Sequence, residues 1–352
     1  MHYDFLMIGW ELDYSRNGVM IDREKFKIKE IKIKKENFAL RYAKTFLKIL
    51  NALIRYRTKI VYIPAFNQVN SPFIILASKI FRKKLIIDIL VSEYDTIVED
   101  RKLARPNSFK AKKAYFLDKI CLKYADQLIC DTELHKEYFV KKFQCDSNKI
   151  SVISVGAEEH FDYIENNNKS QEFRVIFYGG FSPLHGIDII LKAAAYLKNN
   201  SSIKFTLVGS GQTKNEMLKL AQELELSNVT FIDRVDYRDL PSFLSDFDVG
   251  LGIFGETDKA QRVVPNKVYQ VAACKLPVIT RDTPGIKEVF THNKDSLLIP
   301  SGDQQAYELA KAIQTLQDNP DLKNNIEKNG YRLMKTDYSV KNIRKQFSYL
   351  VK

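Results

Sequence analysis

The segment from Arg262 to Thr280, RVVPNKVYQVAACKLPVIT, sets two cations and a helix start beside a buried strand. Pro265 restricts the entry, while Val268, Val271, Ala272 and Leu276 fall at helical spacing. Pro277 then opens the apolar run PVIT after a turn at Cys274 and Lys275. Backbone N–H groups at such a helix start, next to Arg262 and Lys267, would hold an anion such as a nucleoside diphosphate. The same letters also fit an ordinary amphipathic helix with solvated cations, and this segment alone leaves both readings open.

Two glycine turns add a second group of candidates. RVIFYGGFSPLHGIDIILKAA reads as a strand, a turn at Gly179 and Gly180, and a helix from about Gly186; KFTLVGSGQTKNEM repeats the idea at Gly209 and Gly211. Glycine permits close backbone approach, so such turns present amides to phosphate, although many strand-to-helix turns carry glycine for packing alone. IIDILVSEYDTIVEDRK brings Asp88, Asp95, Asp100 and Arg101 within one stretch. A carboxylate there could orient or deprotonate a hydroxyl, and the arginine could hold an anion; a solvated acidic loop is the alternative. Asp246 and Asp248 flank Phe247, but LSDFDVGLGIF reads as a helix end entering a strand rather than a metal site. His135, in CDTELH, reads as a helix N-terminal residue.

The elements that must position these residues alternate strand and helix, the pattern of a mostly parallel sheet covered on both faces. Strands are expected in YDFLMIG, FKIKEIKI, KIVYIPA, KLIIDIL, QLICDT and ISVISVG, then in RVIFYGG, KFTLVGS, VTFID, VGLGIF, PVITRD and SLLIP. The Asn-rich YIENNNKSQ between them suits a linker. We therefore expect an α/β chain of two Rossmann-like domains, residues 1–165 and 166–330, with residues 331–352 as a helix crossing back to the first domain. Doubly wound sheets bind ligand at the carboxyl ends of their strands.

At 352 residues there is material for two cores, and the apolar fraction of 45% is that of a globular protein. No apolar run is long enough to span a bilayer. The opening MHYDFLMIGWELDYSRNG reads as a strand rather than a secretory leader, and a cytoplasmic location is expected. Cys121, Cys130, Cys145 and Cys274 lack C-x-x-C spacing and read as reduced structural thiols. The net charge of +12 is concentrated between Arg16 and Lys59, with 14 basic and four acidic residues. Within that span RYAKTFLKILNALIRYRTK reads as an amphipathic helix, with Tyr42, Phe46, Ile49, Leu50, Leu53 and Ile54 on one side. Its basic residues suit either a solvated edge or an anionic membrane surface, and no nucleic-acid motif accompanies them.

Together these motifs resemble the retaining glycosyltransferases of family 4, which have the GT-B fold, and in particular the branch with R-x-x-P-N-K-V-[YF]-E and P-L-H-G. One letter, Gln270, departs from the branch pattern, and three further places differ from the classical family. Gln270 stands where the family has the glutamate that accepts hydrogen bonds from the nucleotide ribose, and Arg262 stands where the family has a first glutamate. Phe181 and His185 replace an arginine and a lysine of the glycine loop. The resemblance implies a metal-independent hexosyltransferase without a resident cofactor, using a UDP-sugar or GDP-sugar donor in a cleft between the domains. It places Gly179, Gly180, His185, Gly209, Gly211, Ile232, Asp233, Arg234, Asn266 and Gln270 on the nucleotide, and Ser15, Arg16 and Asn17, in a Y-S-R-N loop, toward its phosphates. Arg262 and Lys267 would stabilise the leaving diphosphate, with Asp88 and Asp95 on the acceptor side. It also implies a lipid-linked saccharide acceptor in cell-surface polysaccharide assembly, at the inner face of the plasma membrane. The departures at Phe181, His185 and Gln270 equally suit a non-catalytic relative that partners another transferase.

Overall fold

The computed structural model describes residues 2–34, 38–166 and 170–351, with side chains in the first long helix described from Thr45 onward. All twelve expected strands form. The first six are β1 (Phe5–Gly9), β2 (Ile28–Lys32), β3 (Ile60–Ile63), β4 (Lys84–Asp88), β5 (Gln127–Cys130) and β6 (Ile150–Val152). They make one parallel sheet in the order β2-β1-β3-β4-β5-β6. The second six are β7 (Phe173–Tyr178), β8 (Ile203–Val208), β9 (Val229–Ile232), β10 (Val249–Leu251), β11 (Val278–Arg281) and β12 (Leu297–Ile299). They make a second parallel sheet, β12-β11-β10-β7-β8-β9. Helices on both faces bury the central strands, which is why FLMIG and IVYI are continuous apolar runs rather than alternating ones.

The two orders differ. The first sheet is wound 2-1-3-4-5-6 and reverses between β1 and β3; the second, counted within itself, is wound 3-2-1-4-5-6 and reverses between β7 and β10. In the second sheet that reversal brings the loop after β7, with its glycines, beside the loop after β10.

Contacts divide the chain into Met1–Ser154 with Val340–Lys352, and Val155–Ser339. The junctions thus lie at 154/155 and 339/340, against expected ones at 165/166 and 330/331. Side-chain contacts explain the offset. Phe161 is buried, and Asp162 takes a hydrogen bond from Tyr331 and an ion pair from Lys335, so this stretch is tied to the second unit. Tyr338 donates to the Glu288 carbonyl and sets its ring edge-on to Tyr269. Only then does the helix Val340–Leu350 leave, to bury Ile343 and Phe347 among Phe5, Met7 and Tyr62 of the first unit.

The basic amphipathic stretch lies in the helix Phe38–Arg55. The side chains of Arg41, Tyr42 and Lys44 fall outside the described residues. Ile49 and Leu53 are buried as expected, but Ile54 is 72% exposed and Leu47 66%, seven residues apart on the outer face. Sequence spacing grouped Ile54 with the core side; the sheet covers a narrower stripe. Among the described residues no helix is long and apolar enough to cross a membrane.

Candidate functional site

The second unit gathers most of the expected residues at the carboxyl end of its sheet. Gly179 follows β7 with φ +144, and its N–H donates to the Val208 carbonyl at 3.0 Å. A Cβ at this position would stand 2.8 Å from Lys267 Nζ and 3.8 Å from His185 Nε2, so glycine is what lets the ammonium and the imidazole close on the backbone. Gly209, at φ +134, meets the same turn from the other side: a Cβ there would lie 1.9 Å from the Gly179 oxygen. The two glycine turns are stacked backbone on backbone, with the Phe181 N–H donating to Ser210 O at 2.9 Å. Gly209 and Gly211 therefore serve this close approach, while a Cβ at Gly180 would meet nothing nearer than 3.9 Å.

Lys267 is the second residue of the helix Asn266–Ala273, which Pro265 caps with extended backbone. The helix stops at Ala273; Lys275 turns with φ +60, and Leu276 lies in the connection to β11 rather than on the helix as its spacing suggested. The Lys267 ammonium is buried, lies 3.7 Å from the centre of the Phe177 ring, and has no hydrogen-bond partner among the described residues. Burial holds its pKa well below the usual lysine range. A ring face repays on the order of 2 kcal/mol of a desolvated cation, less than the several kcal/mol that burying an ion costs. An anion brought to the Gly179 turn would supply the remainder. His185, on the single turn Pro183–His185, pairs its Nδ1 with Ser182 Oγ at 3.0 Å and leans edge-on against Phe177. Arg262 ends the short helix Asp258–Arg262, four residues before the next helix, and is half-buried. Asn266 opens that next helix and is also half-buried.

Phe181, at the place of the family arginine, is wholly buried against Phe177 and Phe231. A cation nonetheless reaches this corner. Lys214, from the helix Lys214–Glu223, lays its ammonium over both Phe181 and Phe231, donates to Gly209 O at 3.0 Å and stands 3.7 Å from Asp233. Sequence reading passed over Lys214, whose one signal was its place directly after the second glycine turn. Ile232 ends β9 with its carbonyl taken by the Gly209 N–H, and Asp233 and Arg234 are exposed in the loop beyond.

Gln270 is buried one turn along from Lys267. Its Oε1 accepts from the Tyr178 hydroxyl at 3.0 Å and its Nε2 donates to the Tyr237 oxygen at 2.7 Å. The Tyr237 hydroxyl in turn donates to the Glu158 carboxylate. Neither Tyr237 nor Glu158 carried a sequence signal, since they lie 33 and 112 positions from Gln270.

In the first unit several candidates turn inward. The helix begins at Ser15 and includes Gly18, so the expected Y-S-R-N loop is its first turn. Arg16 is buried and donates from Nε to Asp88 at 2.7 Å and from Nη2 to Cys130 O at 3.4 Å; Asn17 donates to Leu12 O. Burial alone would lower the Arg16 pKa, but Asp88 and Asp131 outweigh it and hold the guanidinium above its ordinary value. Burial likewise raises Asp88 despite Arg16. We write the pair as ionised, because a guanidinium does not give up its proton. Asp95 is fully buried at the start of a wide helical turn, Asp95–Asp100, its N–H held by Ser92 Oγ. Asp118 fastens that loop by accepting from Ser92 Oγ, Glu93 N and Tyr94 N, and burial pushes its carboxyl up to about 7. His135 does sit at a helix N-terminus, capped by Thr132, and its Nδ1 pairs with Asp131 at 2.5 Å. Asp248 accepts from Arg174 N, and Asp246 accepts from Asn166, so both have structural partners.

The family "Glycosyl transferases group 1" matches residues 159–333. That segment is a glycosyl transferases group 1 domain. The match contains every second-unit residue described in this site except Glu158, which directly precedes it. Among curated proteins, the chain is 25% identical over 261 residues to the chitobiosyldiphosphodolichol beta-mannosyltransferase of Candida albicans, covering 68% of this chain and 56% of that one. It is 24% identical over 239 residues to the O-antigen chain mannosyltransferase RfbU of Salmonella typhimurium, covering 67% and 64%. The chain spans about half the length of the curated relatives it first matches, 56% and 47%. Among solved structures, Anabaena HepE in complex with UDP-glucose superposes with a TM-score of 0.76 at 16% identity, over 99% of both chains. Sucrose-phosphate synthase from Thermosynechococcus elongatus does so at 0.72 and 17% identity, over 92% of this chain and 82% of that one. The two-sheet architecture around the group 1 domain is the GT-B fold.

Proposed function

We propose that this protein is a retaining glycosyltransferase that moves a sugar from a nucleoside diphosphate sugar to a lipid-linked saccharide in cell-surface polysaccharide assembly. One observation carries the reading: a buried, unpartnered Lys267 ammonium pressed against the Gly179 turn, where a diphosphate would complete its coordination. The relatives support it, since their names are those of transferases of O-antigen, capsular polysaccharide and a dolichol-linked saccharide. In this reading Lys267, the Gly179–Gly180 amides and His185 hold the diphosphate, with Lys214 at the adjoining turn. The bond from the anomeric carbon to the diphosphate oxygen breaks, and its electron pair stays on the phosphate beside Lys267. The acceptor oxygen bonds to the anomeric carbon on the same face, and its proton passes to the departing phosphate, which retains configuration without a covalent nucleophile. Metal independence belongs to the same proposal, Lys267 doing what a cation must. Contact with an anionic membrane surface would come from the outer face of the helix Phe38–Arg55, where Leu47, Lys48, Ile54 and Arg55 are exposed.

The test is calorimetric titration with UDP, GDP and their sugar conjugates. The unaltered chain should bind one nucleotide class, and Lys267→Ala should weaken it about a hundredfold. Equal affinity in both proteins would remove Lys267 from the site, and anomeric NMR of the product decides retention.

A further inference from the structure

Where the family glutamate would meet a ribose, this chain has a neutral amide whose hydrogen bonds are already spoken for. The direction of those bonds follows from their far end. The Glu158 carboxylate can only accept, so the Tyr237 hydroxyl must donate its one proton there. The Tyr237 oxygen is then an acceptor, which requires the Gln270 amide to point its Nε2 at Tyr237, at 2.7 Å. Oε1 is thereby turned to the Tyr178 hydroxyl, at 3.0 Å. The chain Tyr178, Gln270, Tyr237, Glu158 thus has a single polarity, set by Glu158. It also runs from the interior outward: Tyr178 and Gln270 are buried, Glu158 is half-buried, and Tyr237 is 40% exposed. The Tyr237 ring is braced edge-on by His160 and Phe161, which fixes where its hydroxyl stands.

We propose that in this chain the carboxylate serving the nucleoside diol has moved from position 270 to Glu158, with Gln270 as the positioning residue that aligns Tyr237. The proposal rests on the donor reading given above and deepens it. A vicinal diol needs an acceptor that is charged and reachable. Glu158 has a second carboxylate oxygen for it, whereas residue 270 is buried with its amide nitrogen committed to Tyr237. Glutamine at 270 is then required rather than tolerated. A glutamate there would offer Tyr237 no proton, and two carboxylates would compete for one hydroxyl.

Restoring the family glutamate at 270 should therefore weaken nucleotide binding rather than tighten it. The experiment measures dissociation constants by calorimetry for UDP and GDP, and for the 2′,3′-dideoxy form of whichever binds tighter. The proteins are the unaltered chain, Glu158→Gln, Tyr237→Phe, Gln270→Glu and the exchange Glu158→Gln with Gln270→Glu. Tyr237 is exposed and Glu158 half-buried, and melting midpoints check that each variant keeps its fold. We expect Glu158→Gln, Tyr237→Phe and Gln270→Glu each to weaken the ribonucleotide about tenfold. The exchange should not recover that loss, since it returns the carboxylate to a buried position and leaves a neutral amide at 158. Removing the diol should weaken the unaltered chain about tenfold and Glu158→Gln hardly further, the signature of groups that touch. Binding by the unaltered chain with Glu158→Gln and Tyr237→Phe within twofold of it overturns this inference and leaves the donor reading standing. Additive losses from the diol and from Glu158→Gln do the same. Silence of the unaltered chain toward both nucleotides overturns the two together.

Discussion

At the carboxyl ends of its strands the first unit sets Arg16 against Asp88 at 2.7 Å and His135 against Asp131 at 2.5 Å. The second unit, at the same level of its own sheet, sets Lys267 against an aromatic ring and a glycine turn, with no described carboxylate paired to it. Arg16 and Lys267 are both buried charges near loops of a doubly wound sheet, yet the first is compensated from within and the second pairs with no described carboxylate. A compensated pair holds structure. An uncompensated cation is a standing deficit that an anionic ligand can fill, and that difference is what supports the proposal of a donor site in the second unit.

The largest expected effect breaks the comparison on its structural side. Arg16→Ala leaves Asp88 buried without its partner and should cost about 3–5 kcal/mol of stability, read from denaturant unfolding. Lys267→Met should instead stabilise the unliganded protein, by roughly 1–3 kcal/mol. A destabilised Lys267→Met would mean that the ammonium has a compensating partner in solution. Gly179→Ala comes next. Its φ of +144 disfavours a side chain, and the new methyl would stand 2.8 Å from Lys267 Nζ. Nucleotide affinity should fall about tenfold, while Gly302→Ala, with open space around it, should leave affinity unaltered.

A finer probe is pH. The folded Lys267 pKa is depressed, so between that value and about 10.4 the unfolded chain binds more protons and stability rises with pH. Lys267→Met should flatten that rise. A bound diphosphate pulls the pKa back up, so nucleotide binding within the same window should take up a proton and tighten as pH falls. Titrations in buffers of different ionisation enthalpy would show the uptake, and its persistence in Lys267→Met would assign it elsewhere. The smallest effect concerns Asp118, raised to about 7 by burial. Its contribution is full below about 4 and is lost as pH rises through about 7, and Asp118→Asn should remove that slope at a cost near 1 kcal/mol.

The strands were legible because most are short, nearly continuous apolar runs and IKEIK alternates instead, and Lys267 was legible because its helix start, proline and turn are neighbours in sequence. The partners were not. Arg16 meets Asp88 across 72 positions and Gln270 meets Tyr178 across 92, so a Y-S-R-N loop that reads as ligand-facing turns into the core. The burial of Asp95 escaped for a related reason: a wide helical turn, tied down by Asp118 from another helix, rolls that carboxylate inward. Ile54 was misplaced because periodicity gives the direction of an apolar face but not the width of stripe that the sheet will cover.

Phe347 and Ile343, from the helix Val340–Leu350, complete a cluster built on Phe5, Met7 and Tyr62. A ribosome delivers them only after all of Val155–Ser339 has emerged. The contiguous second unit is thus the first able to close its core during synthesis, and it matures while the other still carries an open apolar face. That inverts the usual amino-to-carboxyl order of domain folding and gives chaperones a defined surface to guard.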